Sequence, residues 1–202
     1  MKKTQEREMT FPETLIWLLT DLQYARASFV ISCDLPRAHP AVIATAPFFF
    51  QLTANRHADA VNLHATKLYD SSRRLSIPGL LSLASKQAGT FNHASASEVR
   101  KEVAIARRIV VRFAPLLRAL NLRRNQSIAH MDPTTIVNPD QYIKDGFVRT
   151  GDLADLLEQT GLILNRLSML YRGVSLALDI ANAGDYRKAL DLMSRSSNPV
   201  AL

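Results

Sequence analysis

A chain of 202 residues, 47% of them hydrophobic, can bury one substantial core, and one domain is the expectation. Its single cysteine, Cys33, excludes an internal disulfide and points to a reducing, cytoplasmic setting. A formal net charge of +7 and a pI near 9.9 direct attention to polyanionic partners. Seven glycines are few, β-branched runs are missing, and Leu, Ala and Arg dominate, so helices are expected throughout. The longest apolar stretch, 41–52 with Phe48, Phe49 and Phe50 in a row, falls well short of the roughly 20 residues of a membrane span. It reads as buried helix, and no membrane partner is expected. The polar segment 1–8 gives no sign of a signal peptide.

The elements follow in order. Residues 1–9 read as a flexible tail. Thr10-Phe11-Pro12-Glu13 is a capping box with proline in the first turn. The helix it opens carries Ile16, Leu19, Tyr24, Ala27 and Val30 at helical spacing and stops near Asp34-Leu35-Pro36. A second helix starts at His39-Pro40 and reaches Tyr69, with Pro47 predicting a kink or restart. Leu68-Tyr69-Asp70-Ser71-Ser72 ends it, and Ser76 caps a short leucine-rich helix. After a loop at 89–94, Ser95-Ala96-Ser97-Glu98 is a second capping box. It opens a helix running toward Ala129, bent near Phe113 by Pro115 and ended by Pro133. An irregular connector spans 133–150. Thr150-Gly151-Asp152 opens the last long helix, whose apolar stripe runs from Leu153 through Leu170 to Leu178, with Gly184 as its C-terminal cap. Asp185 caps a short final helix. The expectation is an all-α antiparallel bundle of four to five main helices in a single domain, 10–194, with a second flexible tail at 195–202.

Charge is concentrated in one place. Between Ser97 and His130 stand Arg100, Lys101, Arg107, Arg108, Arg112, Arg118, Arg123 and Arg124, opposed only by Glu98 and Glu102. A solvated helix face explains such a run. Arginine in preference to lysine also suits phosphate, because the guanidinium fork matches phosphate oxygens. At the foot of this helix lies Arg124-Asn125-Gln126-Ser127-Ile128-Ala129-His130. Six residues of regular helix put Arg124 and His130 about 120° apart, so they converge on one phosphate only where the last turn loosens. A helix C-terminus favours a protonated imidazole, which suits proton transfer near neutrality. The plain alternative is a histidine capping terminal carbonyls with Arg124 on the solvated face.

Other residues carry weaker signals. His57 and His64 lie seven apart on one face, a spacing that suits polar packing better than a metal site. Cys33 reads as a core thiol, and Phe48 to Phe50 as core or interface. No P-loop, G-x-G-x-x-G or Ser-His-Asp arrangement is legible, and no cofactor is expected.

Arg124-Asn125 followed by His130 resembles the R-x(4–6)-H motif of the HEPN superfamily, all-helical ribonucleases and nucleic-acid-binding proteins of prokaryotic conflict systems. The layout is similar to its AbiU-type abortive-infection group: a first helix with Trp17, a long helix ending in Leu68-Tyr69-Asp70, and a short Ser-capped helix after it. The resemblance implies a metal-independent endoribonuclease, a toxin or antiviral defence effector. In such enzymes the RNA 2′-hydroxyl attacks the adjacent phosphate and leaves a 2′,3′-cyclic end. Carried over, His130 acts as general base or acid, Arg124 stabilises the phosphorane, and Asn125 orients the phosphate or the histidine. One histidine does not serve easily as base and acid in the same step, so a homodimer with facing motifs is implied, and a cognate antitoxin is a further expected partner. Arg100, Arg107, Arg108 and Arg123 are then the expected RNA contacts. Some family members carry a tyrosine two positions after the histidine, modified by a partner nucleotidyltransferase. Asp132 stands there in this chain, and regulation by that route is not expected. Asp132 either orients His130 or stops the helix before Pro133. The alternative functions are a non-catalytic helical module that binds RNA or protein, and a purely structural dimerising bundle.

Overall fold

Thr10 starts the first helix through its own backbone N–H and hydroxyl, which both donate to Glu13 Oε2 at 2.8 Å. The computed structural model describes residues 9–37, 40–125, 147–181 and 184–197, and all of its long elements are helices. They are α1 (Phe11–Asp34), α2 (Pro40–Thr45), α3 (Pro47–Tyr69), α4 (Ile77–Lys86), α5 (Ala96–Arg112), α6 (Ala114–Arg123), α7 (Thr150–Arg172) and α8 (Asp185–Ser197). The architecture is the expected all-α bundle, built around α1, α3, α5 and α7.

Both predicted proline effects are complete breaks. Pro47 restarts the chain as α3 after α2, and Pro115 sits in the first turn of α6 after a break at Phe113. Ser76 caps α4 by accepting from the Gly79 N–H, and Ser95 caps α5 by accepting from the Glu98 N–H.

The core arises where α1 lies on α3 and α7. Leu15, Leu18 and Leu22 of α1 meet Val61, Ala65 and Leu68 of α3 and Leu156, Leu164 and Leu167 of α7 in one buried cluster. The polar contacts show the directions. Asp21 reaches His64 and Lys67 while Ser28 reaches His57, so α1 and α3 run antiparallel. Arg112 pairs with Asp155 and Glu102 with Arg166, so α5 and α7 do too. Among the described residues no helix is long and apolar enough to cross a membrane.

Two sequence expectations are corrected. Of the α1 residues at helical spacing, Leu19 packs at the edge of the core while Ile16, Tyr24 and Val30 are exposed; the buried face is Phe11, Leu15, Leu18, Leu22 and Ala25. The helix is apolar on nearly every side, so spacing alone does not select the face that meets a neighbour. The last long helix also ends earlier than expected. Gly173 adopts the left-handed conformation at φ 70° and donates to Met169 O, closing α7. Leu178 therefore leaves the helical stripe and packs beside Gly161 from the following segment.

A buried hydrogen bond ties α3 to α7. The Tyr69 hydroxyl lies 2.7 Å from Thr160 Oγ1, which donates to Leu156 O at 2.6 Å. Burial pushes the Tyr69 phenol up to about 12. Tyr69→Phe deletes the donor and leaves Thr160 with an unused acceptor. We expect a loss of about 1–2 kcal/mol in urea unfolding; an unchanged midpoint would show that the hydroxyl contributes nothing.

The last helix docks through charge as well as through Leu190. Asp34, at the end of α1, accepts from the Tyr186 hydroxyl at 2.9 Å and from Arg187. Arg187, and after it the Tyr186 hydroxyl, hold the Asp34 carboxyl below its usual range, against the opposing effect of burial. With a depressed folded-state pKa, this stabilisation is complete above the unfolded value of about 3.9 and is lost as pH falls through the lower folded value. Hydrogen exchange in α8 should therefore accelerate relative to α1 as pH falls below about 4, and Asp34→Asn should remove that step. Equal acid sensitivity in both proteins would exclude Asp34 as the cause.

Candidate functional site

The candidate site forms where the ends of α3 and α6 approach. Leu120 is buried and anchors α6 to the core. Beyond Arg123 the helix widens into a π turn at Arg124 and Asn125, a departure from regular α-helix that recurs at functional positions. There Arg124 Nε donates to Asn125 Oδ1 at 3.0 Å. The neighbouring side chains of the motif are thus joined, and the amide sets the plane of the guanidinium.

The buried Tyr69 holds the end of α3, and Asp70 follows immediately. Its carboxylate accepts from the Ser72 hydroxyl at 2.6 Å and the Ser72 N–H at 3.0 Å. These bonds, the hydroxyl first, hold the carboxyl below its usual range, and the charges of Arg124 and Arg73 lower it further. Leu68-Tyr69-Asp70 and Arg124-Asn125, apart in sequence, are therefore electrostatic neighbours. The result is an arginine with an amide on one side and a carboxylate nearby. A guanidinium held in this way is chemically able to meet negative charge on a phosphate. Sequence reading had treated Asp70 only as a landmark at a helix end. The available signal was an acid at a helix stop, which ordinary turn chemistry explains equally well.

His130 and Asp132 lie in 126–146, outside the described residues. The expected RNA contacts divide into two groups. Arg100, Arg107 and Arg108 are exposed on α5, outside the stripe of its buried Val99, Val103 and Ala106, and have no acidic partner among the described residues. Arg100 and Arg107 are two helical turns apart on the same line of the surface. Arg123 is placed differently: half-buried, it lines a cavity together with Arg37. Arg112 is engaged by Asp155 at 3.1 Å and lies over the Phe113 ring.

The histidines of α3 are in polar packing. His57 Nδ1 lies 3.3 Å from Ser28 Oγ, and His64 Nδ1 lies 3.2 Å from Asp21 Oδ1 with its ring stacked on Tyr24. The described residues hold no cluster of three or more side chains suited to a metal ion. Cys33 is free and half-buried. Phe50 is buried, whereas Phe48 and Phe49 face outward.

No curated protein and no solved structure matches the chain. The family model HEPN_AbiU2, described as AbiU2, matches residues 12–192, which takes in α1, α3, the Arg124 motif and α7. On that match, and on a helical bundle in keeping with it, the chain belongs to the AbiU2 family of HEPN proteins.

Proposed function

We propose that this chain is a HEPN-type endoribonuclease, a toxin or antiphage effector that cleaves RNA at a composite site formed by two copies of the chain. The observation that carries the reading is Arg124 on the widened turn after α6, bonded to Asn125, with its charge acting on the Asp70 carboxylate. In the proposed reaction the ribose 2′-oxygen bonds to phosphorus as the bond from phosphorus to the 5′-oxygen breaks. One His130 takes the 2′-hydroxyl proton. The histidine of the second copy gives a proton to the departing 5′-oxygen, so the step is balanced without a co-reactant. Arg124 meets the extra negative charge on the equatorial oxygens, and Asn125 keeps the guanidinium oriented. Asp70 keeps Arg124 at the site between substrates. Asp132 is the group nearest in sequence to orient His130.

The exposed arginines of α5 support the RNA half of the reading. A basic face with free guanidiniums gathers phosphate along a strand. The test is cleavage of mixed RNA by the purified protein in EDTA, with the product ends identified and the oligomeric state measured by sedimentation. A 2′,3′-cyclic end produced by a dimer is the expected result. Binding without cleavage would establish the non-catalytic RNA-binding alternative, and neither binding nor cleavage would leave the structural one.

A further inference from the structure

The turn after α3 holds an arginine that the proposed chemistry does not use. The Arg73 N–H donates to Asp70 O at 3.0 Å, and Arg73 O accepts from the Ser76 hydroxyl at 2.8 Å. Its backbone is thus fixed on both sides, while its side chain is exposed and bonds no carboxylate among the described residues. Asp70 Oδ1 is taken by Ser72, and Arg124 is bonded to Asn125. Two guanidiniums therefore act on one carboxylate that neither of them bonds, and one positive charge is left over.

The same end of the bundle carries a ring that the core does not use. Asp21 reaches His64 and Lys67 on the antiparallel α3. Trp17 lies one turn before Asp21, about 6 Å along the axis, and so stands level with the last residues of α3 and with Asp70. It is 56% exposed and is the only tryptophan in the chain. Tyr24, seven residues on along the same line of α1, is stacked on His64 with centroids 5.8 Å apart. Trp17 has no ring partner among the described residues. The half-exposed His64 and Lys67 interrupt the apolar surface here, which suits a polar, charged partner better than a second copy of the chain.

We propose that single-stranded RNA leaves the Arg124 site across this end of the bundle, with a base stacked on Trp17 and a neighbouring phosphate held by Arg73. An exposed indole offers a stacking face to any base, and a guanidinium fork suits the phosphate next to it. The inference rests on the RNA-cleaving reading and names a part of the strand's path that lies outside the reacting atoms.

The test uses the full-length protein and a short single-stranded RNA methylated at every 2′-oxygen, which lacks the attacking hydroxyl and stays whole. Trp17 emission and the anisotropy of the labelled RNA are read in one titration. Emission should be quenched in step with binding, since no other tryptophan contributes. Trp17→Ala should weaken binding roughly 5- to 100-fold, the usual range for losing one stacked base, and Trp17→Phe should keep most of the affinity. Arg73→Ala should lower the slope of log affinity against log salt by about 0.7, as for one phosphate contact to a single strand, and Arg73→Lys should restore it. Both side chains are exposed, so the unfolding temperatures should hold. Suppose the RNA binds but Trp17→Ala keeps its affinity within about twofold, or Arg73→Ala leaves the salt slope unchanged. This path is then overturned while the nuclease reading stands. If the wild-type protein binds no RNA, methylated or not, that reading fails and the path with it. If sedimentation shows that Trp17→Ala separates a dimer, the face belongs to a second copy and the path is overturned.

Discussion

Substituting Arg124 by alanine is expected to lower RNA cleavage by roughly 10²–10³-fold, the usual effect of removing one preplaced donor from a developing oxyanion. The unfolding temperature should hardly change. Arg124 makes a bond to its neighbour Asn125 and a long-range interaction with Asp70 near the surface, and exposed interactions of this kind contribute little to stability. His130→Ala should cost at least about 10²–10⁴-fold, because it removes proton transfer at both ends of the reaction. The two variants should differ in their pH profiles. Arg124→Ala keeps the titrating imidazole and thus the shape of the wild-type curve, whereas His130→Ala flattens it. Full activity in either variant would exclude that residue from the chemistry. If both lose activity only because they unfold, circular dichroism melts will reveal it.

The largest expected effect on stability lies in the core at the start of α1. Phe11 is wholly buried at the first turn of α1, with ring centroids 4.8 Å from Phe91 and 5.0 Å from Tyr171. Phe91 and Tyr171 are themselves 5.2 Å apart, so the three rings close on one another. This trio joins the start of α1, the loop before α5 and the end of α7. Phe11→Ala should cost about 3–5 kcal/mol, since the cavity is walled by two anchored rings that cannot collapse into it. For a chain of this size, each kcal/mol lowers the melting temperature by about 2–4 °C. A drop of the order of 10 °C is therefore expected in calorimetry. A loss below about 1 kcal/mol would mean that the rings close over the gap, and that this end of the bundle is held by other contacts.

Several features were legible because they depend only on neighbours along the chain. Glu13 three residues after Thr10 and Glu98 three after Ser95 make capping boxes wherever the helices later pack. Pro47 and Pro115 lack a backbone N–H, so each interrupts its helix whatever surrounds it. The Arg124-Asn125 pair was likewise visible, and the hydrogen bond between the two side chains is local. Its resemblance to the HEPN motif pointed to the family that the match over residues 12–192 establishes.

Other features depend on what each helix meets across the core. On α1 two apolar stripes compete, and contact with α3 and α7 decides that Leu15, Leu18 and Leu22 go inside while Ile16 and Trp17 stay out. Gly173 ends α7, although the sequence pointed to Gly184 as the helix stop. The chain leaves the helix where Leu176 and Leu178 can reach the core. Arg123 and Arg124 are adjacent in sequence and equally basic, yet one lines a cavity beside α1 and α3 and the other bonds to Asn125, its charge felt by Asp70. By itself the sequence determined the long helices, their N-terminal capping boxes and proline breaks, the basic α5 and the Arg124-Asn125 pair, because these follow from interactions a few residues apart. Only the tertiary structure decided which faces are buried, that the Arg124 charge acts on Asp70, and that the Asn62 amide has no hydrogen-bond partner among the described residues. Those outcomes depend on residues distant in the chain, and local spacing carries no information about which of them come together.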